Sequence, residues 1–294
     1  MSDIGPDEIR ARLATCPEWF HSIELAPGIV TPGRWSVEAL ARKWEALHLP
    51  VLSGKSVLDV GAYDGFFSFA AERSGAVRVV ALDHYVWSAD MVAYMADWRA
   101  SNQAGSTSLP APHASPHWAP ETMPGRRPFD LAHEILRSRV IPVVGDFMAM
   151  DLSTLGQFDV VLFLGILYHL TDPLGAMQRV AQVTAADGLA VIETAAIELP
   201  GLEHRAHWEF FPGQELNNDA SNWWVPNATA LEGLCRSAGF RDVIRLTPHP
   251  VHSFRARLGA ARREVLHALG LRPSGPDVTR YRLVAHARRQ ILLA

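Results

Sequence analysis

Short apolar runs recur along the chain, separated by stretches whose apolar residues repeat every three or four positions. The runs are "SVLDVG" (56–61), "VRVVALD" (77–83), "VIPVVGDF" (140–147), "FDVVLFLG" (158–165) and "LAVIETA" (189–195). Their cores do not alternate polar and apolar, so each predicts a strand buried on both faces. Between them "FFSFAAERSG" (66–75) predicts a helix capped by Gly75, and "PLGAMQRVAQVTAADG" (173–188) another. Upstream, "SVEALARKWEAL" (36–47) predicts a helix with Ser36 as cap, Glu38 in the first turn, and Val37, Leu40, Ala41, Trp44 and Leu47 on one face. Downstream come a helix at "ALEGLCRSAGF" (230–240), a strand at "DVIRLTP" (242–248), a helix over 256–269 and a last strand at "RYRLVAHAR" (280–288). Buried strands alternating with helices imply an α/β fold, a parallel sheet covered on both faces. The expected division is an N-terminal helical or cap segment, 1–50, followed by one domain over 51–294.

One segment breaks the rhythm. More than fifty residues separate Asp83 from Val140, where one helix would suffice, and "SNQAGSTSLPAPHASPHWAPETMPG" within it is rich in Ser, Pro, Gly and His. Loops of that length are lids, binding segments or disordered. This one, 84–139, leaves the carboxyl end of a strand, the side on which open α/β sheets bind ligands. It reads as a substrate lid, with an insertion of no role as the alternative.

The chain has 294 residues, 48 % hydrophobic, with a net charge of −4, enough for one large core. The N-terminus "MSDIGPDEIR" is acidic and polar, and no apolar run approaches the ~20 residues that cross a bilayer. Cys16 and Cys235 predict neither a disulfide framework nor a metal cluster. The expectation is a soluble cytoplasmic protein. Residues 251–294 hold nine Arg against Glu264 and Asp277. That basic end admits a nucleic-acid partner. Lys43 and Lys55 are the only lysines, however, so Arg fills ordinary solvated positions, and the rest of the chain is acidic.

The first chemical signal is "VLDVGAYDG" (57–65). A buried strand ends at Gly61 and a helix starts near Phe66. Gly61 and Gly65 let the backbone pass close to a ligand, and the helix N-terminus offers free N–H donors. About twenty residues on, the next strand ends in Asp83, placed to accept ribose hydroxyls. A dinucleotide site would want G-x-G-x-x-G. Here G-x-x-x-G carries Asp59 before it and Asp64 inside it, which suits a cationic nucleoside, S-adenosylmethionine, better than a pyrophosphate. Asp146 follows the third strand, where it can accept the adenine amino group with Phe147 or Met148 against the ring. Tyr63, His84 and Gly165 complete the expected cofactor set.

The second signal is "FLGILYHLTDP" (163–173), where a buried strand runs directly into Tyr168 and His169. In such a sheet this strand lies beside the first, so a phenol and an imidazole stand at its ligand-binding end. "VLDVGAYDG", "VVALD", "FDVVLFLGILYHLTDPL" and "VIETAAIE" together resemble a class I S-adenosylmethionine-dependent methyltransferase. They are most similar to the group around the bacterial tRNA wobble-uridine carboxymethyltransferase, which shares G-x-L-Y-H-x-x-x-P-L, a later E-T, and an upstream Lys-Trp, here Lys43-Trp44. The resemblance spans roughly 35–245 and implies a Rossmann-like fold, a seven-stranded mostly parallel sheet with helices on both faces. It implies S-adenosylmethionine as cofactor and S-adenosylhomocysteine as product. The group's tRNA enzyme uses a carboxylated cofactor held by basic residues, and Lys43 and Tyr168 keep part of that set. The chain departs from the group in its "GAYDG" loop, its longer insertion and its "NNDASNWWVPN" segment.

A hydroxyl acceptor needs a general base. His169 is the expected base, with Glu193 as its partner or as the alternative base, and Tyr168 orients acceptor or cofactor. A capping or packing histidine is the alternative for His169. On the substrate side, 200–230, Trp223 and Trp224 offer flat faces and Asn218, Asp219 and Asn222 hydrogen bonds, which suit a saccharide or a stacked base. Either Trp is equally well read as the core of a hairpin. The spacing of His204, His207, Glu209 and Asp219 matches no metal motif, so no metal site is predicted. Three readings result: an O-methyltransferase of a small molecule or saccharide, which is favoured; a tRNA wobble-uridine (carboxy)methyltransferase; and a non-catalytic cofactor-binding regulator.

Overall fold

The computed structural model describes residues 4–16, 18–104, 112–213, 215–217, 219, 221–250, 265–266 and 278–289. The helix expected over 256–269 falls almost wholly outside them, as do Asn218 and residues 105–111 of the insertion. The first half of the chain runs through α1 (Pro6–Ala14), β1 (Glu24–Ala26), β2 (Ile29–Val30), α2 (Val37–Ala46), β3 (Ser56–Val60), α3 (Phe66–Arg73), β4 (Arg78–Asp83), α4 (Met91–Gln103), α5 (Arg127–Ile135) and β5 (Ile141–Val144). The second half adds β6 (Phe158–Leu164), α6 (Pro173–Val183), β7 (Thr184–Glu198), β8 (Trp208–Phe210), β9 (Trp224–Pro226), α7 (Ala228–Ser237), β10 (Asp242–Arg245) and β11 (Thr279–Arg288).

Seven strands form one sheet in the order β10-β11-β7-β6-β3-β4-β5. The pairs β3–β4, β4–β5, β3–β6 and β6–β7 are parallel, and only β11 runs against its neighbours. The strand order reverses between β3 and β6, which opens a crevice above their carboxyl ends. One face of the sheet buries Leu58, Val60, Val161, Phe163 and Ile192 against Met177 and Val180 of α6 and Leu231 of α7. The other buries Val57, Val79, Ala81, Leu162 and Val191 against Leu40 of α2, Phe69 of α3 and Phe129 of α5. Each large side chain so buried stabilises the fold by roughly 1.5–3 kcal/mol, which is why the strands read as unbroken apolar runs.

Local signals set the helix starts. Ser36 accepts from Ala39 N (3.2 Å), Asp172 from Gly175 N (2.8 Å) and Asn227 from Ala230 N (2.9 Å). Two expectations need correction. The helix expected over 173–188 stops at Val183, because Thr184 pairs with Phe158 and the chain continues directly into β7. Sheet pairing here outweighs the helical preference of "AAD". The insertion is also not all lid: its last part is α5, the crossover helix between β4 and β5, with Phe129 and Ala132 fully buried. The N-terminal residues Trp19, Ile23, Leu25 and Leu40 share the core under β3 and β4.

Candidate active site

The crevice is bounded by the ends of β3 and β6. Gly61 (φ +72°) and Gly165 (φ +73°) both occupy the left-handed region. A Cβ on Gly61 would sit 2.7 Å from Ile166 Cδ1. A Cβ on Gly165 would sit 3.5 Å from the Tyr168 hydroxyl and within 4 Å of Arg282 and Glu193. Asp146 stands exposed beyond β5, its Oδ1 accepting from Met148 N (2.8 Å), with Phe147 buried beside it. Arg179 of α6 holds this loop by donating to the carbonyls of Phe147 (2.6 Å) and Met150. His84 is half-buried at the end of β4, with its ring edge-on to Trp118. Bare glycine backbone at the switch point and an exposed carboxylate beyond β5 fit a nucleoside cofactor.

The acids of the cofactor loop do not face the crevice as expected. Asp59 is buried, accepts from the Ser68 hydroxyl (2.6 Å), and burial pushes its carboxyl up to about 7. Asp83 is buried and accepts from Tyr63 N (2.9 Å) and Val86 N (3.1 Å); burial raises its pKa as well. Asp64 is fully buried and holds the N-terminal segment: its Oδ2 accepts from Phe20 N (3.0 Å) and His21 N (2.7 Å), and its Oδ1 meets His21 Nδ1 (2.5 Å). Phe20 stacks on Tyr63 (5.0 Å). The three carboxyls therefore fix the loop from beneath.

Level with the carboxyl end of β6 stands a charged cluster on β7 and β11. Glu193 binds Arg282 of β11 through both carboxylate oxygens, and the Arg282 guanidinium lies 5.1 Å from the Tyr168 ring centre. Against the cost of burial, Glu193 raises the Arg282 pKa. Lys43 Nζ sits 3.9 Å from the Trp35 ring centre. Burial lowers the Lys43 pKa, while Glu193 raises it and Arg282 lowers it, so the three charges share one neighbourhood.

Glu193 was expected as the partner of His169, and here the structure corrects the sequence. His169 Nδ1 instead meets Ser221 Oγ (2.9 Å) and the Ser221 carbonyl (3.2 Å), and Ser221 Oγ donates to Asp219 Oδ1 (2.6 Å). A carbonyl only accepts, so Nδ1 carries the proton and Nε2 keeps a free lone pair. Burial holds the imidazole below its usual pKa, hence neutral near pH 7.

Asn222, expected at the acceptor, is 1 % exposed; its Nδ2 donates to the Leu216 carbonyl (2.8 Å) and shapes the turn that carries Asp219 and Ser221. Trp223 N donates to the Tyr168 carbonyl (2.7 Å), fastening that turn to the site. Trp223 and Trp224 are half-buried, and Phe210 of the β8–β9 ribbon stacks on Trp223 (6.4 Å) and lies tilted against Trp224 (4.6 Å). Asp219 also lies close enough to Tyr85 and Tyr94 to add to the rise that burial gives both phenols. His207 and Glu209 are spent on Leu202 and Arg280, and among the described residues no group of three or more metal-binding side chains converges. Arg280, Arg282 and Arg289 of the basic end are all engaged within the chain.

This strand order, with one antiparallel strand and a crevice at the β3–β6 switch, is the Rossmann-like fold of class I S-adenosylmethionine-dependent methyltransferases. The chain belongs to the family described as "Methyltransferase domain", which it matches over residues 36–244. Among curated proteins it is 24 % identical over 246 residues to a tRNA U34 carboxymethyltransferase of Desulfotalea psychrophila, covering 83 % of this chain and 63 % of that one. A protein of the same name from Idiomarina loihiensis is 27 % identical over 249 residues, 82 % of this chain and 64 % of that one. The chain thus spans less than two thirds of the length of these relatives. Among solved structures, the N-terminal domain of EvdMO1 in the presence of SAH and D-fucose aligns over 98 % of both chains with a TM-score of 0.57 and 17 % identity. Haemonchus contortus phosphoethanolamine N-methyltransferase 2 in complex with S-adenosyl-L-methionine aligns over 88 % of this chain and 55 % of that one, with a TM-score of 0.51 and 12 % identity. Among the described residues no helix is long and apolar enough to cross a membrane.

Proposed function

We propose that the protein transfers a methyl group from S-adenosylmethionine to a hydroxyl of a small molecule or saccharide, with His169 as general base. The observation that carries this reading is the free Nε2 of a neutral His169 at the carboxyl end of β6. When bound, the cofactor supplies an electrophilic methyl whose carbon–sulfur bond breaks with its electron pair left on sulfur. Nε2 takes the acceptor's proton as the new oxygen–carbon bond forms, and Tyr168 orients the reacting groups. Such a base contributes ~10²–10⁴-fold. Gly61, Gly165, Asp146 and Phe147 would hold the cofactor. Trp223, Trp224 and Phe210 offer ring faces that suit a sugar. The full-length alignment with a domain crystallised in the presence of D-fucose is in keeping with that acceptor. Tyr85 and Tyr94, after β4, lie within the field of Asp219.

The second reading is carboxymethyl transfer to a tRNA uridine. It rests on the convergence of Lys43, Arg282 and Tyr168, an anion-binding set, and on the names of the curated relatives. Glu193 weighs against it, because it already neutralises Arg282. The test is transfer of label from methyl-labelled S-adenosylmethionine into RNA, polysaccharide and small-metabolite fractions. Label in saccharides or metabolites supports the first reading. Label in RNA, or transfer only from a carboxylated donor, supports the second.

A further inference from the structure

We infer that Asp219 and Ser221 are positioning residues for His169, which fix the imidazole in the tautomer with a bare Nε2, so that the base is complete only when their turn is seated. This deepens the reading of His169 as base and rests on it. The Ser221 hydroxyl commits its proton to Asp219 Oδ1 at 2.6 Å, and the same oxygen takes Ser221 N–H at 2.9 Å. With that proton committed, Ser221 Oγ presents only a lone pair to His169 Nδ1. The Ser221 carbonyl does the same, so both groups beside Nδ1 are acceptors. The arrangement is a relay from carboxylate through hydroxyl to imidazole, built from two segments 52 residues apart in sequence.

The turn is itself held against the histidine. Trp223 N binds the Tyr168 carbonyl, Asn222 Nδ2 binds the Leu216 carbonyl, and Asp219 N binds the Leu216 carbonyl at 3.2 Å. The groups facing His169 are Asp219 from the turn, Arg282 from β11 with its partner Glu193 on β7, and the Tyr168 ring at 4.3 Å. Asp219 favours the imidazolium that forms when Nε2 takes a proton, whereas burial and Arg282 oppose it.

The test is imidazole nitrogen NMR on the full chain bound to S-adenosylhomocysteine, with the His169 signals assigned by their loss in His169→Ala. The wild type is expected to show protonated Nδ1 and bare Nε2 in its neutral form. In Asp219→Ala the Ser221 hydroxyl loses its acceptor and is free to donate to Nδ1, so Nε2–H signal appears and the protonation midpoint moves to lower pH. In the labelling assay the same variant loses roughly tenfold or more in kcat, with the acid limb of its pH profile moved down. Ser221→Thr, which keeps the hydroxyl, restores the wild-type tautomer. Unchanged S-adenosylhomocysteine affinity checks that each variant is folded. Nε2–H in the wild type, or an Asp219→Ala protein with unaltered tautomer and midpoint, overturns the inference. If His169→Ala is inactive while Asp219→Ala is unaltered, only the positioning role fails. If His169→Ala transfers methyl at the wild-type rate, the base reading fails and this inference with it.

Discussion

Replacing Glu193 by Gln should change which donor the site prefers. Glu193 spends both carboxylate oxygens on Arg282, and Lys43 lies in the same field. The cluster therefore carries two cations and one anion, a single net positive charge. Gln removes the anion and keeps the shape. A charge-assisted pair is worth roughly 1.5–3 kcal/mol. The Arg282 side chain is 43 % exposed, so solvent screens the pair and the lower figure applies. About 1.4 kcal/mol corresponds to a tenfold change in a binding constant. Glu193→Gln is expected to gain about tenfold in affinity for a donor that carries a carboxylate on its transferable carbon, relative to S-adenosylmethionine. Calorimetric titration with the two donors reads the ratio, and added salt should shrink the gain. A ratio that stays put, or moves toward S-adenosylmethionine, would refute Glu193 as the group that sets the charge of the cleft.

Other perturbations separate chemistry from scaffold. His169→Asn keeps a donor for the Ser221 carbonyl and removes the base, so kcat should fall ~10²–10⁴-fold while S-adenosylhomocysteine binds as before; single-turnover labelling and titration read the two. Asp64→Ala orphans the N–H groups of Phe20 and His21, at ~1–3 kcal/mol each, so urea unfolding should show a loss of about 2–6 kcal/mol and proteases should cut near residues 18–35. Asp59 has a carboxyl pKa pushed from 3.8 in the free side chain to about 7 in the fold. The stability it lends is full below the unfolded value and is lost as pH rises through 7, because ionising the buried group costs free energy. Asp59→Asn should therefore flatten the fall in urea midpoint between about pH 5 and about pH 8, and an unchanged slope would show that other groups cause it.

The sheet was legible because β3, β4, β6 and β7 bury both faces and leave apolar runs; β5, expected to be buried likewise, is instead the edge strand, with Ile141 and Val144 exposed. The cofactor loop was legible for a similar reason, since its glycines and flanking acids lie within nine consecutive residues. What those acids do was not. Asp59 and Asp64 look like ligands of a cation in sequence, yet packing buries both, and Asp64 is spent on a segment more than forty residues upstream. The Tyr-His pair could be placed at the ligand end of β6 from the strand alone, but its partners could not. Arg282 reaches Glu193 across 89 residues and Ser221 reaches His169 across 52. Only the pairing of β11 with β7, and the fastening of Trp223 to Tyr168, bring them together. The end of α6 was misread for the converse reason, since "TAAD" is locally helical and only its sheet partners make it strand.

Methyl transfer to oxygen with His169 as base is read in the carbon NMR spectrum of the product formed from carbon-13-methyl S-adenosylmethionine, by the wild type and by His169→Ala. An O-methyl resonance is expected with the wild type and none with the variant. An N-methyl or C-methyl resonance, or an O-methyl signal of equal strength from His169→Ala, would rule that chemistry out.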